Sequence, residues 1–148
     1  WRIGYAGGPV DLITGMRKVQ SQSTSNPCSI SQAAAVEALN GSQACIQTML
    51  VQFKIRHDYV VDRINRLPGF KVIRAAGAFY AFMDIEEAMK LKGFETDAAF
   101  VEAILEQKLV AAVPGSAFGA DNHMRFSFAT SMENLVAALD RIEAFMNE

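Results

Sequence analysis

The sequence predicts an α/β fold in which helices pack on a short mixed sheet, and three observations carry that expectation. First, Ile46, Met49, Leu50, Phe53, Val60, Val61, Ile64 and Leu67 recur at spacings that place them on one face of a long helix. Second, the period shortens after Pro68-Gly69: Phe70 to Ala75 and Ala78 to Ile85 are short runs rich in aromatic and branched residues, the habit of strands. Third, helical and strand-like segments then alternate to the end of the chain, which asks for a sheet covered by helices.

Each element follows from local chemistry. Trp1 to Ala6 reads as a strand running into the turn Gly7-Gly8-Pro9. Pro9 suits the first turn of a helix, and Leu12, Ile13, Met16 and Val19 follow at helical spacing. Ser21 to Ser29, polar and interrupted by Pro27, reads as a loop. Ile30 to Leu39 is alanine-rich and reads as a buried helix, broken at Gly41. The long helix puts Lys54, Arg56, Asp58, Asp62, Arg63 and Arg66 on its wet face, while His57 falls on the apolar stripe as a packed residue. Gly77 separates the two strand-like runs as a hairpin or a pair of neighbours. Thr96 caps a helix over 97–107 with Phe100, Val101, Ile104 and Leu105 inward. Leu109 to Val113 is a short strand closed by Pro114-Gly115, and Met124 to Ala129 alternates as another. Ser131, with Asn134 nearby, opens a last amphipathic helix with Leu135, Val136, Leu139, Ile142, Phe145 and Met146 as its apolar residues.

Composition narrows the function. Apolar residues make up 51% of the 148 and charged residues 20%, a globular balance with enough chain for a real core. A formal net charge of -2 gives no electrostatic footprint for nucleic acid or a membrane surface. No apolar run reaches the roughly 18 residues of a membrane-spanning helix. The 2 cysteines, Cys28 and Cys45, lack metal-ligand spacing and read as free thiols of a reducing compartment, so a cytoplasmic location is expected. No phosphate loop, zinc motif or Gly-x-Ser-x-Gly element is present.

Two arginines call for an explanation. Arg2 lies within an otherwise apolar run, and Arg125 starts a strand. A guanidinium on a half-buried strand needs a partner, because an unpaired buried charge is costly. Either each is tied to an Asp or Glu, or each grips an anionic ligand with its planar fork. His123, beside Asp121 and Asn122, reads as a solvated loop histidine.

A resemblance favours the ligand. Trp1-Arg2-Ile3-Gly4-Tyr5 with Ala6-Gly7 resembles the segment after the cofactor lysine in fold-type I, pyridoxal-phosphate-dependent aminotransferases of the aspartate and aromatic class. Met124-Arg125-Phe126-Ser127-Phe128-Ala129-Thr130 resembles that family's late motif. Between them, Ser25-Asn26-Pro27 with Gln32, Gly77-Ala78-Phe79-Tyr80, and Val113-Pro114-Gly115-Ser116-Ala117-Phe118-Gly119 follow in the family's order. The resemblance implies that Arg2 contacts the phosphate of pyridoxal 5'-phosphate and that Arg125 holds the substrate's α-carboxylate. It implies that Phe79 lines the substrate pocket and that Ser25 and Asn26 belong to a loop near the active site and the dimer interface. The family's Schiff-base lysine stands eight residues before the arginine matched by Arg2, hence upstream of Trp1, so this chain is expected to be inactive alone. The activity implied for the parent enzyme moves an amino group between an amino acid and a 2-oxo acid, in a homodimer. In one branch of the family an arginine for the substrate's distal carboxylate stands where this chain has Ser21, which leaves the amino acid open.

With that family, residues 1–40 are expected to be the tail of the large cofactor-binding domain. Residues 41–69 would be a long interdomain helix and 70–148 the small C-terminal domain. The alternatives are a related lyase using the same cofactor, or an aminotransferase-like ligand sensor in a transcription regulator.

Overall fold

The structure, a computed structural model, describes residues 2–148. The chain divides into two compact units, one up to Gln47 and one over Thr48–Glu148.

The first unit holds α1 (Val10–Ser23) and α2 (Ser29–Asn40). Pro9 stands at the N-terminus of α1 as its fixed φ favours, and Asp11 places a negative charge in the first turn. Between the helices, the Gln32 side chain donates to the carbonyl of Pro27 at 2.9 Å. Three expectations are corrected here. Residues 2–8 form no strand, because no strand among the described residues lies alongside to share a ladder, and Trp1, the first residue of the expected strand, lies outside the described residues. The helix α1 continues through Ser21 to Ser23, so the expected loop shrinks to 24–28: the Ser21 and Ser23 hydroxyls turn back onto carbonyls of Lys18 and Val19 rather than breaking the helix. The alanine-rich helix is present, but neither α1 nor α2 has a buried residue. Val10 is 79% exposed and Ile30 72%, since nothing within this unit is large enough to cover them.

Helix α3 (Ala44–Ile64) runs across the division. In the second unit it is followed by β1 (Lys71–Val72), β2 (Tyr80–Asp84), α4 (Glu86–Lys92) and α5 (Asp97–Lys108). Then come β3 (Val113–Pro114), a 3-10 turn over Gly115–Phe118, β4 (His123–Ser127) and α6 (Met132–Asn147). The strands form one four-stranded sheet in the order β1-β2-β4-β3. Every pairing is antiparallel, so the sheet is not mixed as expected. No crossover helix joins neighbouring strands in the same direction, which a parallel pair would need.

Alternation along β2 and β4 sends Ala81, Met83, Met124 and Phe126 into the core. There they join Val60 and Ile64 of α3, Phe100 and Ile104 of α5, and Leu135, Leu139, Ile142 and Phe145 of α6. Phe100 is the hub of the aromatic packing, with ring centroids 5.5 Å from Phe94, 5.7 Å from Phe145 and 6.1 Å from Phe70. The expected caps are made: Thr96 Oγ1 accepts from Ala99 N–H, and Ser131 Oγ from Asn134 N–H. Helix α4 was not foreseen, and the strand expected over 109–113 is displaced. Leu109 ends α5 in the left-handed region at φ 55, so pairing begins only at Val113.

Two backbone approaches fix the frame. Gly69 has φ +78 and packs so closely on Ala88 that a Cβ would come within 2.4 Å of its nitrogen. Asn65 brackets Val72: its Nδ2 donates to the Val72 carbonyl at 3.1 Å, and its Oδ1 accepts the Val72 N–H at 2.9 Å.

Candidate active site

Opposite the core face, the sheet carries Tyr80 and Phe82 on β2 and His123, Arg125 and Ser127 on β4. Arg125 pairs across to Phe82 on one side and to Val113 on the other. Among the described residues no carboxylate forms an ion pair with it. The structural ion pair is thereby absent among the described residues. Instead, the guanidinium carbon lies 4.4 Å from the ring centre of Tyr80 and 4.4 Å from that of Phe118. Tyr80 comes from the β2 flank of β4, and Phe118 from the turn that follows β3 on the other flank. A guanidinium held beside two rings, with no hydrogen bond from its N–H groups to a protein acceptor among the described residues, keeps the donors that take a carboxylate bidentately.

Phe79 enters the same sheet immediately before β2. Its carbonyl accepts the Phe128 N–H at 2.9 Å and its ring lies 4.4 Å from that of Tyr80. It is 40% exposed, as a pocket wall would be. The sheet thus brings Tyr80 and Arg125 together, while Phe79 meets Tyr80 and, at 6.3 Å, the ring of Phe53 on α3. Sequence reasoning assigned no role to Tyr80 or Phe118, although both stand inside the motifs it singled out. The signal that would have found Phe118 is an aromatic residue closing a Pro-Gly turn directly before the strand of the key arginine.

A cavity of about 410 Å³ opens where the connection after β1 crosses α3, lined by Phe53, His57, Asp58, Arg74, Gly77 and Phe128 among others. His57 is packed as expected, its ring edge-on to Phe128 at 5.7 Å. Its Nε2 accepts the Ala75 N–H at 3.2 Å. Asp58 is held well below the usual carboxylate range by Lys54 first, then by Arg74 and His57, with Lys54 at 2.8 Å and Arg74 at 2.6 Å. A carboxylate depressed in the folded state contributes stability above its unfolded value, about 3.9, and loses it as pH falls toward the lower folded value. Asp58→Asn should therefore lower the melting temperature at about pH 7, with the gap from wild type shrinking by about pH 2.5. A gap of equal size at both pH values in a thermal melt would contradict this.

In the first unit, Arg2 is exposed with φ 54, and no carboxylate pairs with it among the described residues. Ser25, also in the left-handed region at φ 61, donates its N–H to the Gln20 carbonyl at 2.9 Å. Ser25 and Asn26 line a cavity of about 490 Å³ with Arg17, Lys18 and Ser21. Cys28 and Cys45 are free and exposed. Hydrogen bonds from the backbone at Ser31 and Ile30 push the Cys28 thiol down from its ordinary value. No helix among the described residues is long and apolar enough to cross a membrane.

Comparison with known proteins adds a second line of evidence. The family described as "Aminotransferase class I and II" matches residues 1–142. The aspartate/prephenate aminotransferase of Nitrosomonas europaea is 46% identical over 99% of this chain and 38% of its own length. The aspartate aminotransferase of Geobacillus stearothermophilus is 45% identical over 99% of this chain and 37% of its own. Among solved structures, the aspartate aminotransferase of Rhizobium meliloti superposes with a TM-score of 0.88 at 45% identity, over 99% of this chain and 38% of that one. The Thermus thermophilus aspartate aminotransferase with maleate gives 0.85 at 39%, over 97% of this chain and 37% of that one. The chain thus spans well under half the length of the relatives it matches. With both the unpaired arginine on its sheet and this similarity along its length, the chain belongs to the class I and II aminotransferases.

Proposed function

We propose that this chain forms the C-terminal part of a pyridoxal-phosphate-dependent transaminase that moves an amino group between an amino acid and a 2-oxo acid. The observation that carries the reading is Arg125: a guanidinium 4.4 Å from each of two ring centres, with no carboxylate partner among the described residues. In this reading Arg125 binds the α-carboxylate and Phe79 lines the pocket beside it. The relatives' names include aspartate and prephenate, and the Thermus protein is named with maleate, a dicarboxylate, so a substrate with a second acidic group fits the family; one relative is instead named for asparagine, whose side chain is a neutral amide. Ser21 offers no charge for that second group.

Arg2 suits the cofactor in donor chemistry: an exposed guanidinium without a carboxylate partner is free to take a phosphate. When bound, the cofactor supplies the electron sink for breaking the Cα–H bond. This chain's contribution is orientation. Two parallel N–H bonds from Arg125 fix the carboxylate plane, and with it the direction of the Cα–H bond. The lysine that anchors the cofactor and moves the proton would come from outside residues 1–148. The first unit would be the tail of the large domain, 41–69 the interdomain helix, and 70–148 the small domain. The loop with Ser25 and Asn26 would lie near the interface of a cytoplasmic homodimer, and the uncovered faces of α1 and α2 support burial by further protein.

Exchanging the two arginines tests the assignment in the full-length enzyme. Arg125→Lys keeps charge and loses the fork, at about 1.5–3 kcal/mol per charge-assisted bond, so kcat/KM should fall about 10- to 150-fold. Cofactor retention should be unchanged. Arg2→Ala should do the reverse, weakening cofactor binding with the carboxylate site intact. Loss of cofactor in Arg125→Lys with normal amino-acid affinity would mean the roles are exchanged.

A further inference from the structure

We infer that Phe118 is a positioning residue for the carboxylate-binding arginine: it is one jaw of an aromatic clamp, with Tyr80 the other, that holds the guanidinium edge-on to its ligand. This rests on the reading of Arg125 given above and adds to it the groups that set its geometry.

An arginine side chain has four rotatable bonds, and on a sheet face it has no neighbour that fixes its head. Here both rings stand 4.4 Å from the guanidinium carbon, one from each flank of β4. Stacking is the arrangement that leaves all in-plane donors available, whereas a carboxylate partner would occupy them. Clamping before the ligand arrives lowers the ordering cost of binding.

Phe118 is itself held, although it is 49% exposed and therefore not a core residue. Its ring meets Phe82 edge-on at 6.3 Å, and Phe82 stacks on His123 at 5.2 Å, so the aromatic row continues across the sheet. Its backbone belongs to the 3-10 turn over Gly115–Phe118, and that turn is pinned by a buried charge. Asp97, 4% exposed, is the one buried charged side chain among the described residues. Its Oδ2 accepts the Ser116 N–H at 2.7 Å. Asp97 sits in the first turn of α5, where the free N–H groups and the helix dipole favour a carboxylate, and this offsets its burial. The turn is also closely fitted: a Cβ at Gly115 would come within 2.3 Å of the Ala120 carbonyl oxygen. A rigid, internally charged support under an exposed phenylalanine has no purpose in the core, and it places that ring against Arg125.

The test uses the full-length enzyme with acetate as a competitive inhibitor, a carboxylate with nothing else to recognise. Phe118→Leu keeps apolar bulk and removes the π face. Its acetate inhibition constant and its amino-acid KM should rise about 3- to 10-fold, with cofactor retention and melting temperature unchanged. Phe118→Trp, which restores a π face, should return both to within about twofold. Equal weakening in Phe118→Leu and Phe118→Trp would show that the ring only fills space, and would overturn the clamp. Arg125→Lys separates the two levels. If it leaves acetate inhibition unchanged, the carboxylate site is elsewhere and the underlying reading fails. If it weakens inhibition while Phe118→Leu does not, the reading stands and the clamp fails.

Discussion

The 148-residue chain, mixed with pyridoxal phosphate and any amino acid and 2-oxo acid pair, is expected to show no turnover. The anchoring amine must shed its proton to attack the cofactor's aldehyde, and the protein achieves that by taking it out of water or setting it beside another cation. Three of the lysines present are paired with carboxylates instead. Lys54 is bound to Asp58, Lys90 to Glu86 and Lys108 to Glu148, and the Glu86 carboxylate pushes the Lys90 amine further up. Lys92 lies 5.1 Å from the ring centre of Phe145. The family's cofactor lysine, eight residues before the arginine matched by Arg2, has no counterpart among them. Absorbance spectra should show no visible band that a single substitution at Lys18, Lys54, Lys71, Lys90, Lys92 or Lys108 abolishes. Turnover tied to one of these lysines would refute the reading.

Phe100→Ala is expected to be the most damaging single substitution in the second unit. The side chain is fully buried, and it is the ring that Phe70, Phe94 and Phe145 share. Truncation removes its transfer free energy and leaves a hole that residues from the α5–α6 interface and the Phe70 turn must line. Such losses run at about 3–5 kcal/mol, a large part of the stability of a domain of this size. Chemical denaturation should show the midpoint falling at unchanged slope. Phe118→Leu, on the opposite side of the sheet, should leave that midpoint in place, so the two substitutions separate folding from binding. A loss below about 1 kcal/mol for Phe100→Ala would mean the cluster repacks, against the close fit seen here.

Local chemistry made the second unit legible. Thr96 and Ser131 announced their helices because a hydroxyl at the cap is read from one residue and its successors. The apolar stripe of α3 located Val60, Val61 and Ile64, but Ile46, Met49 and Leu50 on the same stripe stay exposed, because nothing covers that end of the helix. What escaped depends on distant chain. The residues before Pro9 look like a strand by composition, yet a ladder needs a neighbour and none is present among the described residues. The alanine-rich helix reads as buried by composition, yet burial requires something to cover it. The motif around Arg125 pointed to a bound anion, but its aromatic supports come from β2 and from the turn after β3. The resemblance quoted both without giving either a purpose, since spacing along the chain says nothing of which rings converge on one side chain. Helix α4 was missed because seven residues are too few to show a period.

The bracket that Asn65 places on Val72 has a consequence for how the protein fails. A sheet edge displays unpaired N–H and C=O groups that invite a foreign strand and can seed fibrils. At the β1 edge, the Asn65 amide already occupies both backbone groups of Val72, as a strand would. At the far edge, β3 is two residues long and ends in Pro114, which has no N–H to offer. Both rims of the sheet are closed to templated growth. Aggregation of this chain should therefore begin at the uncovered apolar helices and yield amorphous, helix-retaining clumps. Cross-β fibres should form only after the second unit has melted.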